Sequence, residues 1–113
     1  MRLASVFPVG YNSGVLIQRT EQCDKWLRSL PKQVQVRILI ALERIADSGQ
    51  LLGDYKSVGK GVIELRFHFG KGYRVYCYEE KGRLLILLAG GDKSTQTRDI
   101  KKAQELLKEW KEQ

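Results

Sequence analysis

A chain of 113 residues and 13.0 kDa has material for one domain with one modest core, which excludes a multi-domain enzyme. Twenty Lys+Arg against 13 Asp+Glu leave a net charge of +7 and a pI near 9.6, the electrostatic signature of a polyanion partner such as RNA or DNA. Two scattered cysteines and one histidine fall short of a metal-ligand set, so neither metal nor cofactor is expected. No run approaches the roughly 20 apolar residues of a membrane span, and the start MRLASVFPVG lacks a leader's apolar core and cleavage site. A cytoplasmic protein without membrane contact is expected.

Residues 1–13 contain Pro8, Gly10 and Asn12 and show no hydrophobic period, so they are expected to be a loose arm ahead of a single domain at residues 14–113. Gly14 to Arg19 (GVLIQR) is a short aliphatic run suited to a first strand. Thr20 then offers an N-cap, with Glu21 and Asp24 in the first turn where acidic groups oppose the helix dipole. Cys23, Trp26, Leu27 and Leu30 fall at i, i+3, i+4 and i+7, the stripe of an amphipathic helix. Pro31 suits the first turn of a second helix, whose stripe is Val34, Ile38, Ala41, Leu42 and Ile45 and whose end is marked by Gly49. The two form a helical hairpin able to cover one sheet face. SGQLLGDYKSVGKG, rich in glycine, reads as a surface loop.

Gly61 to Gln96 organises the rest, as three strands of an antiparallel meander. In the first strand Ile63, Leu65, Phe67 and Phe69 alternate with Val62, Glu64, Arg66 and His68, which sends the two sets to opposite faces. A three-residue turn, Gly70-Lys71-Gly72, would set Phe69 opposite Tyr73, His68 opposite Arg74, Arg66 opposite Tyr76 and Glu64 opposite Tyr78. Arg66, His68, Arg74, Tyr76 and Tyr78 then share one face, a surface suited to phosphates and bases. LLILLA lacks polar alternation, as expected of a central strand covered on both sides, and Cys77 joins Cys23 as a buried free thiol. The loop from Asp92 to Gln96 leads to a last helix with Ile100, Ala103, Leu107 and Trp110 on its stripe.

The strings ELR (Glu64 to Arg66), GYRVY (Gly72 to Tyr76) and GGDKSTQ (Gly90 to Gln96), with Trp26-Leu27 and Asp54 to Lys56, resemble the HigB-like, phage Gp49-like branch of the RelE/ParE toxin superfamily. The resemblance runs from about Val15 to Trp110. It implies an α+β, RelE-like domain: a four-stranded, mainly antiparallel sheet with an N-terminal helical hairpin and a C-terminal helix. It also implies the toxin of a type II toxin-antitoxin system that cleaves messenger RNA, commonly on the ribosome, and is silenced by a HigA-like helix-turn-helix antitoxin through which alone it reaches operator DNA. Arg74 and Lys93 match two basic positions of the RelE active site. Where RelE proper has paired lysines and a late tyrosine, this chain has Val62, Glu64 and, nearby, Asp99, so what carries over is the phosphate-binding part.

Metal-free RNA cleavage needs a base for the 2′-OH, cations for the phosphorane and an acid for the 5′-oxygen. Arg66 and Arg74 can supply the cations and Lys93 can neutralise the leaving oxygen, which makes these three the catalytic candidates. Lys56, His68, Tyr76, Tyr78 and Gln96 are the RNA-binding candidates, His68 or Lys56 being also the available bases. The competing readings are a surface ion pair for Arg66 with Glu64, a plain surface strand position for His68, and turn-shaping or capping for Lys93, Ser94 and Thr95. Two other functions fit the superfamily: a non-enzymatic ParE-like toxin that binds DNA gyrase, and a module acting only within an antitoxin-bound repressor complex on DNA.

Overall fold

The computed structural model describes residues 3–8, 16–81 and 84–113. Its elements run β1 (Leu3–Pro8), β2 (Leu16–Thr20), α1 (Glu21–Ser29), α2 (Lys32–Ser48), β3 (Asp54–Ser57), β4 (Ile63–Phe67), β5 (Tyr73–Glu80), β6 (Leu84–Gly91), a 3₁₀ turn at Lys93–Thr95, and α3 (Gln96–Lys111). One sheet takes all the strands in the order β1-β2-β6-β5-β4-β3. β2, β4, β5 and β6 carry the packing of the three helices, and β1 and β3 form the two edges. β2 runs parallel to β6 and every other pair is antiparallel.

Four differences from the sequence reading follow. The sheet exceeds four strands. Leu3–Pro8 is a strand rather than part of an arm, while the remainder of residues 1–13 lies outside the described residues, as do Gly14 and Val15 of the first strand. Asp54–Ser57 forms an edge strand where a loop was expected, with all four residues exposed. The β4–β5 register is shifted by two: Arg66 faces Arg74 and Glu64 faces Tyr76, because the connection runs from His68 to Gly72. A shift of two preserves the faces, since the side-chain period is two.

Local signals explain the helices. Thr20 caps α1, its hydroxyl accepting from Cys23 N at 3.1 Å and donating to Leu88 O at 2.6 Å, which ties the helix start to the central strand. Pro31 stands just before α2, and Gly49 (φ 77°) ends it in the left-handed region with its N–H on Ile45 O. α1 and α2 cover one sheet face, burying Cys23, Leu27, Ile38, Leu42 and Ile45 against Leu65, Val75, Cys77 and Leu87. α3 covers the other, placing Ala103, Leu106 and Leu107 on Val62, Tyr76, Ile86 and Leu88.

β6, between β2 and β5, is covered on both sides, as its unbroken apolar run predicts. A bulge opposite Tyr76 and Cys77 adds one residue to β6, so that the consecutive Leu88 and Ala89 both join the α3 side. Next comes Gly90-Gly91, where a Cβ on Gly90 would overlap the Trp26 ring of α1 and one on Gly91 would overlap the Asp99 carboxylate of α3. The two glycines let both helices approach the end of β6 closely. Cys23 and Cys77 are free and buried, and burial pushes the Cys23 thiol up to about 12 and raises that of Cys77. Among the described residues no helix is long and apolar enough to cross a membrane.

Candidate functional site

Residues directly opposite in neighbouring strands project to the same side of a sheet. Two such rows cross the face turned toward α3. Asp54, Arg66, Arg74 and Gly91 form one, and Lys56, Glu64, Tyr76 and Ala89 the other. Alternation in β4 and β5 therefore brings two arginines face to face above a carboxylate.

That carboxylate, Glu64, is fully buried and is the centre of the site. Its Oε1 accepts from Arg66 Nε at 2.8 Å, and its Oε2 accepts from Gln96 Nε2 at 2.8 Å and from the Tyr76 hydroxyl at 3.0 Å. Arg74 Nε stands 3.8 Å from Oε2. Burial alone would raise the carboxyl's pKa, but the hydrogen bonds from Arg66, Gln96 and Tyr76 outweigh it and hold the group below its ordinary range. In turn burial, together with the Glu64 charge, pushes the Tyr76 phenol well up, so Tyr76 stays a neutral donor. Glu64 thus fixes the Arg66 guanidinium by Nε and leaves its outer nitrogens unengaged by Glu64.

Arg74 is nearly buried, with its Nη1 donating to Gly72 O at 2.6 Å. Its Nε is buried and forms no hydrogen bond among the described residues. A buried guanidinium with unused donors suits an incoming anion. Gly72 (φ 72°) holds the loop there, and a Cβ on it would stand 3.2 Å from Arg74 Nη1 and 3.4 Å from Lys93 Cβ. The exposed Lys93 is brought beside Arg74 in this way, and its backbone N–H reaches Lys71 O. Asp92 accepts from Ser94 N and its N–H donates to Thr95 Oγ1, a capping box that fixes the turn carrying Lys93.

Beyond Arg66, His68 Nε2 meets Asp54 Oδ2 at 2.5 Å, and Arg66 Nη1 is 3.9 Å from the same oxygen. The hydrogen bond from His68, then the Arg66 charge, lower the Asp54 pKa. Opposite an ionised Asp54, His68 Nε2 is the donor of this hydrogen bond.

The expected residues therefore divide. Arg66, Arg74, Lys93 and His68 come together, and exposed Lys56 lies on the same face opposite Glu64. Tyr76 does not present its ring to a base: it is fully buried under α3 and serves Glu64. Gln96 is likewise engaged on Glu64. Tyr78 packs on Trp110, with ring centroids 5.9 Å apart, two residues further along β5 and away from Arg74. Asp54 and Glu64 are the site residues that sequence reasoning left out. A sequence signal existed for Asp54, as an acidic residue in the DYK string, but none marked Glu64 as buried.

The profile of the phage-derived protein Gp49-like family (DUF891) matches residues 25–108. An uncharacterized protein of Haemophilus influenzae is 43% identical over 96 residues, covering 84% of this chain and 95% of that protein. No solved structure matches the chain. The family match spans both strands that hold Glu64, Arg66 and Arg74 as well as the turn with Lys93, and the chain belongs to the Gp49-like family, a RelE- and HigB-like toxin family whose members are commonly the toxins of toxin-antitoxin systems.

Proposed function

We propose that this protein is the toxin of a toxin-antitoxin pair and an endoribonuclease that cleaves messenger RNA on the ribosome, held silent by a helix-turn-helix antitoxin. This reading rests above all on the buried Glu64 that orients Arg66 beside Arg74, with the Asp54–His68 pair on one flank and Lys93 on the other. A phosphate seated between the two guanidiniums meets planar cationic donors matched to its oxygens.

His68 Nδ1 takes the proton of the 2′-OH, and the 2′-oxygen attacks the adjacent phosphorus. A P–O2′ bond forms as the P–O5′ bond breaks. Arg66 and Arg74 neutralise the phosphorane, and Lys93 gives a proton to the departing 5′-oxygen. The products are a 2′,3′-cyclic phosphate and a 5′-hydroxyl. A binder of DNA gyrase would have no use for a converging set of phosphate ligands beside an oriented histidine.

Induction of the protein without its partner tests the reading. Pulse labelling is expected to show that protein synthesis stops first, and primer extension to show new messenger RNA ends carrying 5′-hydroxyl groups. Arrest of DNA synthesis ahead of translation, with intact messenger RNA, would instead establish the gyrase alternative.

A further inference from the structure

The β3–β4 ladder ends at Asp54 and Arg66, so β4 runs on past its edge neighbour. Around that open end lies a groove between α2 and the β4–β5 connection, lined by Arg37, Ile40, Arg44, Arg66, His68 and Phe69. Arg37, Ile40 and Arg44 fall at i, i+3 and i+7 on one stripe of α2, a stripe that does not serve the core: Ile40 is 44% exposed. Arg37 and Arg44 form no ion pair among the described residues, and the Arg37 guanidinium carbon sits 3.8 Å over the Phe69 ring. Phe69 is itself held against Phe67 and Tyr73, with centroids 6.2 and 5.6 Å away.

We propose that this groove binds single-stranded RNA next to the scissile phosphate, with Arg44 and Arg37 on backbone phosphates and Ile40 and the Arg37–Phe69 stack against a sugar or base. The inference deepens the endoribonuclease reading and rests on it. Arg66 and His68 belong to both the groove and the cleavage site, so a strand leaving the site enters the groove without a break in positive charge. Guanidinium planes and aromatic rings are the surfaces on which unpaired bases stack, and they tolerate any sequence. An acidic peptide would use the charges but has no need of the stacked plane.

The full-length protein and an Arg37→Gln/Arg44→Gln variant would be titrated against a fluorescein-labelled octanucleotide of 2′-O-methyl RNA, which cannot be cleaved. Anisotropy would be read at several salt concentrations. Both arginines are exposed, so the fold is retained, and circular dichroism verifies it. Each phosphate contact on a single strand contributes a salt slope of about 0.7, so losing two reduces the slope by about 1.4 and weakens binding about 25-fold at 0.1 M salt. A Lys101→Gln/Lys108→Gln variant removes equal charge from exposed positions on α3, across the sheet, and is expected to keep most of the affinity.

Unchanged affinity and slope in the arginine variant overturn the groove, as does an equal loss in the lysine variant. Retained RNA affinity with lost binding of polyglutamate overturns it in favour of an acidic protein segment. If only the arginine variant loses the oligonucleotide while the parent cleaves no RNA, the groove stands and the endoribonuclease reading fails. If the parent cleaves and the arginine variant binds like it, the groove fails and the reading stands.

Discussion

Glu64→Gln keeps the shape of the side chain at the centre of the site and removes its charge. A glutamine offers one carbonyl oxygen and one NH2 group, whereas Glu64 is surrounded by donors on both oxygens. With the carbonyl turned to Tyr76 and Gln96, the NH2 confronts Arg66 Nε; the reverse orientation sacrifices two bonds rather than one. The cheaper arrangement loses one charge-assisted hydrogen bond and removes the Glu64 charge from beside Arg66 and Arg74, a destabilisation of about 3 kcal/mol. At a urea slope of roughly 1.5 kcal/mol per molar the unfolding midpoint falls by about 2 M.

The same substitution has a signature in pH. The Glu64 pKa is held below 4.5 in the folded protein, so its ionised form contributes stability above that pH, and the contribution is lost as the pH falls through the folded pKa. The gap between parent and Glu64→Gln is therefore full at pH 7 and narrows below about 4.5. Asp54 and Asp92 are also lowered but are common to both proteins, so they cancel. Urea unfolding followed by circular dichroism at pH 7 and pH 3.5 makes the comparison. Equal midpoints at pH 7, or a gap that ignores pH, would refute the central role of this carboxylate.

Arg74→Ala is expected to abolish cleavage, since one preorganised charge contact to a transition state is worth on the order of 3 kcal/mol, about a hundredfold in rate; primer extension after induction reads the loss. Arg66→Ala and Lys93→Ala should reduce cleavage strongly in the same assay while the protein remains folded. His68→Ala and Asp54→Asn should each slow cleavage, and the double variant should be little slower than His68→Ala alone, because the aspartate acts through the imidazole; additive losses would separate the two residues. Gly90→Ala drives a Cβ into the Trp26 ring and should cost about 1–3 kcal/mol, lowering the thermal midpoint by on the order of 10 °C.

The sequence reading located the face but not its centre. Alternation through Ile63, Leu65 and Phe67 placed Arg66 and Arg74 on one side of the sheet, and an error of two in register could not undo this because parity survived. The error arose at Phe69, which continues the apolar alternation yet lies beyond the end of β4, packed on Tyr73 and beneath Arg37. β3 was missed because an edge strand exposed at every position has no hydrophobic period to read. Glu64 looked like the partner of a surface arginine. It is buried, and α3, starting 32 residues later, sets Gln96 upon it; no local pattern encodes a contact of that range. The same helix turned Tyr76 from a stacking platform into a support.

The parallel pairing of β2 with β6 joins residues 16–19 to residues 84–87, and Thr20 bonds to Leu88 across 68 positions of chain. The β1–β2 pair, the α1–α2 segment and the β3–β5 strands rest on neighbours close in sequence and can form early, but β2 is joined to the rest of the sheet only once β6 exists. Closing so long a loop is a slow step in folding. During synthesis the nascent chain consequently carries a β1–β2 pair with one open edge, detached from the rest of the sheet, until most of its length is made. Gln96, which completes the Glu64 cluster, follows later still. The Glu64 cluster is thus complete only once the start of α3 has been made.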